Sequence, residues 1–223
     1  MIIDADTHIA PTGGDFGLDK HMACMERAGI DKTLVWLKPD YDGAEIERHN
    51  RYIYDAVQKY PDRLIGFGWA APTVGVEHAI EMVRVCAEEY GLHGVKMNGA
   101  QNNYTIDDPQ IALPVAEAIA RMYPETPVLM VHMGMTDADM NRAVIEMAQQ
   151  CPNMYLVGSS TTYKAVVEAI NVLGAERVLF GTDDPFQWPH VVRAMYDAAL
   201  DGIVSEEEKA LVMDGNLARV LGL

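Results

Sequence analysis

The chain has 223 residues and carries 17 Lys+Arg against 33 Asp+Glu, a formal net charge of −16. A field of that sign repels polyanions and acidic membrane surfaces, and no Lys/Arg cluster stands apart from it, so nucleic-acid and membrane-surface roles are disfavoured. With 49% hydrophobic and 22% charged residues the composition is that of a globular protein rather than a disordered one.

The elements alternate along the chain. Short apolar or β-branched runs are separated by segments of helical period, the pattern of repeated βα units around a parallel sheet. The first run is IIDADTH from Ile2, followed by a Pro11 to Gly17 loop and then KTLVWLK from Lys32. A helix over Glu45 to Tyr60 places Ile46, Ile53, Val57 and Tyr60 on one stripe, and Pro61 ends it. LIGFGWA from Leu64 precedes a helix near Val76 to Glu89, and GVKMNG from Gly94 precedes one over Pro109 to Met122. VLMVHMG from Val128, NMYLVGSS from Asn153 and VLFGTDD from Val178 alternate with helices over Ala138 to Gln150, Tyr163 to Leu173 and Pro189 to Leu200. Shorter helices start at Glu206 and Asn216. Seven strands result, in one domain over residues 1–223, since no Ser/Gly-rich linker or composition shift divides the chain.

Such units form either an open doubly wound sheet or a closed barrel. The Gly13-Gly14 pair lacks the spacing of a nucleotide-binding turn, and metal-competent residues end strands one, five and seven. Barrel enzymes keep their chemistry at those ends, so the expected fold is α/β, a TIM-like (β/α) barrel. Cys24, Cys86 and Cys151 are few, odd in number and set among apolar residues, which suggests free thiols. The start MIIDADTHIAP lacks a basic, apolar leader and no apolar stretch reaches membrane-spanning length, so a cytoplasmic location is expected.

Asp6 and His8 are two apart on a strand and emerge on one face, where they can close on one ion. Each also has a plain alternative, a strand-end carboxylate and a core imidazole. His132 ends an apolar strand at the presumed barrel mouth, and Asp183 ends VLFGTDD; Asp184 better fits a helix-capping role. Convergence favours a divalent ion held by Asp6, His8, His132 and Asp183, which polarises a carbonyl and lowers the pKa of bound water toward ~7. Asp183, touching ion and water, is the expected proton acceptor and donor. Lys96, with Asn98 on the same segment, and Trp69 are expected to contact substrate; a solvent-reaching lysine and a core tryptophan are the alternatives. His49 and His78 read as solvated, and His21, His93 and His190 as loop residues.

These residues carry a resemblance to the amidohydrolase superfamily, in particular the amidohydrolase-2 branch of metal-dependent hydrolases and decarboxylases related to aminocarboxymuconate-semialdehyde decarboxylase. IIDADTH resembles the family's opening strand, Asn50 with YPDRLIGFG its next helix-to-strand passage, and GVKMNG its fourth strand. PVLMVHMG, CPNMYLVGSS and RVLFGTDDPF resemble a histidine strand, the Pro-Asn strand and the final strand with its metal aspartate, and GNLARVLGL the terminal helix. The resemblance implies a (β/α) barrel with one divalent ion, commonly zinc or manganese. There are two departures: Asp6 stands where the family has histidine or glutamate, which hardens the ligand set, and one histidine strand is found where the family has two, one supplying a ligand and the next a catalytic histidine. A βα unit is therefore expected to be missing, and His132 is assigned as a ligand, the catalytic role being the alternative.

The expected activity is hydrolysis, with metal-bound hydroxide attacking a small cyclic amide, lactone or ester. Metal-dependent, non-oxidative decarboxylation of a small unsaturated or aromatic acid is the first alternative, and a non-catalytic barrel that has lost part of the metal site the second. The expected partner is a small-molecule substrate, with a homo-oligomer possible through the flank left by the missing unit, and specificity is expected in the loops Pro11 to Gly17 and Gln101 to Asp108.

Overall fold

The computed structural model describes residues 1–39, 42–98 and 109–223, with the backbone alone for residue 72 and residues 109–115. The loop Gln101 to Asp108 lies outside the described residues. Seven parallel strands occur among them: β1 Ile3–Ile9, β2 Lys32–Leu37, β3 Leu64–Trp69, β4 Gly94–Lys96, β5 Val128–Val131, β6 Met154–Val157 and β7 Val178–Leu179. Six fall within the expected runs, and β1 extends one residue past IIDADTH to Ile9. Hydrogen bonding gives the order β1-β2-β3-β4 in one sheet and β5-β6-β7 in the other.

Backbone bonds just beyond β7 join the two sheets. Ala5 N donates to Phe180 O (3.0 Å), Asp183 N to Asp6 O (2.8 Å) and His8 N to Asp184 O (2.8 Å). The continuous order is therefore β5-β6-β7-β1-β2-β3-β4, the curl of a (β/α) barrel whose open edge, among the described residues, lies between β4 and β5. β5, apolar throughout, is only half-buried, whereas β2 and β3 at the centre are buried almost completely. Apolar residues of these strands and of the helices around them pack into one core cluster.

Helices α2 Gly43–Lys59, α3 Val76–Arg84, α4 Pro109–Met122, α5 Ala138–Gln150, α6 Tyr163–Leu173, α7 Pro189–Leu200, α8 Glu206–Ala210 and α9 Asn216–Leu221 match the expected segments, and α1 Leu18–Ala28 was not expected. α3 and α8 each run into a wider π-type turn, over Val85–Glu89 and Leu211–Gly215. Asp42 caps α2 in a reciprocal box with Glu45, and Thr162 caps α6, each contributing about 1 kcal/mol. α1 buries His21, Met25 and Ala28 at spacings of four and three, and ends at Gly29, whose φ of 63° favours glycine. No helix among the described residues is long and apolar enough to cross a membrane. The three cysteines are free; Cys86 and Cys151 are buried and Cys24 is half-buried.

Two buried groups tie β1 to the segment after β7. Asp4 Oδ1 accepts from Thr182 N (2.9 Å) and Asp6 N (3.1 Å), and its Oδ2 bonds the Thr182 hydroxyl (2.5 Å). Gly181 lets these segments meet: a Cβ there would lie 2.6 Å from Val157 Cγ1 and 3.3 Å from the Cβ atoms of Asp6 and Ser159.

Candidate functional site

The C-terminal ends of β1, β5 and β7 bring four of the expected residues, Asp6, His8, His132 and Asp183, to one place. Donor atoms of Asp6, His132 and Asp183 all lie within 4.8 Å of one another, near enough that small side-chain shifts would bring all three onto one ion. His132 Nδ1 is 3.7 Å from Asp6 Oδ2. His8 Nε2 lies 3.8 Å from Asp6 Oδ1 and 3.5 Å from Asp183 Oδ1, at the rim of this group rather than within it. Its Nδ1–H donates to Leu37 O (2.8 Å), so Nε2 carries the lone pair, and that lone pair accepts from the indole N–H of Trp36 at 3.2 Å.

Local backbone directs these side chains. His132 (φ 71°), Ser160 (φ 51°) and Asp183 (φ 63°) are all left-handed without being glycine, a conformation costing about 1 kcal/mol or more each. The chain turns sharply where β5, β6 and β7 give way to loops, so that their terminal residues project toward the barrel axis. Because of that turn, Asp183 and Asp184 part company: Asp183 joins the cluster, while Asp184 accepts from His21 Nδ1 at 2.7 Å, both side chains being buried. This corrects two expectations, since Asp184 caps no helix and His21 belongs to α1 rather than a loop.

The electrostatics suit a cation. Asp6 is fully buried, and its Oδ1 has no hydrogen-bond partner among the described residues, an expensive state for a carboxylate oxygen. A divalent ion shared with Asp183 and His132 would satisfy it, so the donor set fits such an ion. Burial raises the Asp183 carboxyl, but the Ser160 hydroxyl and, when protonated, the His8 and His132 imidazoles outweigh it and hold the group below the usual carboxylate range. Asp183 is thus ionised near neutrality.

Lys96, at the end of β4, is buried, with Nζ 3.9 Å from Asp6 Oδ1 and 3.7 Å from the centre of the Trp36 ring. Burial pushes its ammonium below the ordinary value, against the pull of Asp6 and Asp183. Trp69 has no exposed surface and backs Lys96, its ring centre 5.6 Å from Nζ; Asn50 fixes its backbone through Nδ2–H to Trp69 O (2.9 Å) and Trp69 N–H to Oδ1 (3.0 Å). Asn98 is half-buried, two residues beyond Lys96.

Several site neighbours were not singled out from the sequence. Ser159 and Ser160 bond Asp6 and Asp183, and Gln187 bonds Ser160. Phe186 meets His8 edge-on at 5.7 Å and Phe16 meets Phe186 at 5.6 Å, which gives the mouth an aromatic wall. The dipeptide Ser159-Ser160 closing a strand was the one visible hint.

Three comparisons bear on the chain. A family model described as amidohydrolase matches residues 104–223. The 2-amino-3-carboxymuconate-6-semialdehyde decarboxylase of Dictyostelium discoideum is 31% identical over 168 residues, covering 54% of this chain and 46% of that protein, so the chain spans about half the length of the curated relative it matches. Dihydroxybenzoic acid decarboxylase of Polaromonas sp. JS666, solved with manganese and 2-nitroresorcinol, superposes with a TM-score of 0.79 at 18% identity, covering 100% of this chain and 97% of that one. 5-Carboxyvanillate decarboxylase of Novosphingobium aromaticivorans, solved with manganese and 4-hydroxy-3-methoxy-5-nitrobenzoic acid, gives 0.77 at 18% identity, with 100% and 96% covered. These two structures share the fold.

Proposed function

The chain belongs to the amidohydrolase family, and from that premise we propose that it is a metal-dependent, non-oxidative decarboxylase of a small aromatic or unsaturated acid. The reading departs from the hydrolysis preferred on sequence alone. It is supported by the decarboxylase relative at 31% identity and by decarboxylases of aromatic acids that share the fold. The observation that carries it is the charge of the site: Asp6 and Asp183 against Lys96 leave −1, and a divalent ion would make it +1. A site of that charge, beside the aromatic wall of Phe186 and Phe16, attracts a planar anion rather than a neutral lactone or amide.

Asp6, His132 and Asp183 would hold the ion, with His8 at its edge, and the two carboxylates favour a hard ion such as manganese, with zinc second. Once bound, the ion supplies positive charge that orients the acid and stabilises negative charge developing on its oxygens. Asp183, ionised at rest, takes the proton of a substrate hydroxyl or enol and delivers it to the carbon bearing the carboxylate. The bond from that carbon to the carboxylate then breaks, its electron pair restores the conjugated system, and CO2 leaves. Solvent returns one proton to the oxygen, so that acid and proton become product and CO2. Lys96 offers its ammonium to the substrate anion, and the Phe186 edge keeps water from the reacting carbon.

A panel of 2-hydroxybenzoates, carboxylated methoxyphenols and unsaturated dicarboxylic acids, incubated with manganese-loaded protein in D2O, tests the reading. One CO2 and one carbon-bound deuterium per acid consumed are expected. Turnover of lactones or cyclic amides with no CO2 from any acid would restore the hydrolase reading.

A further inference from the structure

Ser159 and Ser160 follow β6 and meet the two carboxylates one each. Ser159, fully buried, donates its hydroxyl proton to Asp6 Oδ2 at 2.5 Å, and Ser160 donates to Asp183 Oδ2 at 2.5 Å. In each aspartate the other oxygen, Oδ1, is the one that faces His8 Nε2, at 3.8 Å from Asp6 and 3.5 Å from Asp183. A hydroxyl has one proton to give and a carboxylate none. With its proton committed to Asp6, Ser159 Oγ can only accept from His132 Nδ1, 3.2 Å away, which leaves Nε2 as that ring's lone-pair nitrogen. Gln187 Nε2 donates to Ser160 Oγ at 3.0 Å, which turns the Ser160 proton toward Asp183. Ser160 adopts its φ of 51° although it is not glycine, so the surrounding bonds hold this hydroxyl in place against backbone preference.

We infer that Ser159 and Ser160 are positioning residues: each hydroxyl holds one oxygen of its aspartate, which aims the remaining oxygens of Asp6 and Asp183 at one shared divalent cation and fixes the tautomer of His132. The inference rests on the reading of Asp6, His132 and Asp183 as ligands of that cation. Partners of this kind, bonded to ligands rather than to the ion, set affinity because they pre-orient the donor atoms before the ion arrives.

The test uses metal-free wild type, Ser159→Ala and Ser160→Gly, with Mn(II) binding followed by the electron paramagnetic resonance of the free ion and a thermal midpoint for each protein. Wild type is expected to bind one equivalent, and each variant to bind 10- to 100-fold more weakly. Ser160→Gly also removes left-handed strain, so its metal-free midpoint should equal or exceed that of wild type; a loss of affinity without loss of stability marks positioning rather than folding. Should Ser159→Ala not fold, Ser160→Gly alone decides. Variants within twofold of a wild type that binds Mn(II) overturn this inference and leave the metal reading standing. A wild type that binds none overturns both.

Discussion

The indole N–H of Trp36 is 3.2 Å from Nε2 of His8 and holds the one lone pair that His8 can offer to an ion. Trp36 and a cation therefore compete for the same nitrogen. Trp36→Phe keeps an aromatic ring beneath Lys96 but removes the donor. A neutral hydrogen bond has a net worth of about 1 kcal/mol, so Mn(II) affinity is expected to rise about fivefold. Calorimetric titration of the metal-free proteins measures it, and an unchanged or weaker affinity would show that His8 stays outside the coordination shell.

Asp183 is asked to do two things, hold an ion and carry a proton. Asp183→Asn retains the shape and most of the contacts to Ser160 but cannot move a proton, and turnover is expected to fall by about 10²–10⁴. Stability should change far less, since the amide keeps an oxygen able to accept from the Ser160 hydroxyl. Steady-state kinetics beside a thermal melt checks both; a variant as active as wild type removes Asp183 from the chemistry.

Much of this was legible from the residues alone. Central strands such as KTLVWLK and LIGFGWA are buried on both sides, and that produces uninterrupted apolar runs. α1 was passed over: of LDKHMACMERA only His21, Met25 and Ala28 are buried, one of these is a histidine, and Leu18 and Met22 meet the core only partly buried. Asp6, His8, His132 and Asp183 could be proposed because their residue types carry metal chemistry. Ser159 and Ser160 could not, since a serine pair acquires meaning only from the carboxylates it meets, 153 and 23 residues away. The role of Asp184 was misread for the same reason, its partner His21 lying 163 residues away.

Asp4 gives the fold a pH dependence of known sign. Burial pushes its carboxyl well above the usual value, against the bonds from Thr182 and Asp6, so the folded state holds a proton on Asp4 more tightly than the unfolded chain does. A group raised in this way contributes stability fully present below the unfolded value of about 3.9 and lost as pH climbs through the folded one. Asp4→Asn has no such loss. The thermal midpoint of the variant minus that of wild type is expected to become more positive as pH rises from 4 to 9, and a difference that stays flat would mean Asp4 is ionised in the folded protein.

Lys96 separates the two charges the site must bind. Its ammonium lies 3.9 Å from Asp6 Oδ1 and occupies, in part, the electrostatic place of a cation. Replacement by methionine preserves the stem over Trp36 and Trp69 but takes the site without metal from −1 to −2, and with a divalent ion from +1 to 0. Two opposite effects follow. Removing a positive charge from beside the cation should tighten Mn(II) binding at least tenfold, since charges about 4 Å apart interact by several kcal/mol at the effective dielectric of a partly buried site. The same removal should raise KM for an acid at least tenfold, because a neutral site no longer draws an anion. A merely structural lysine would produce neither split, as its loss weakens both partners or neither. Mn(II) titration and KM measured on Lys96→Met decide the matter, and weaker metal binding together with an unaltered KM would count against the charge argument on which the decarboxylase reading stands.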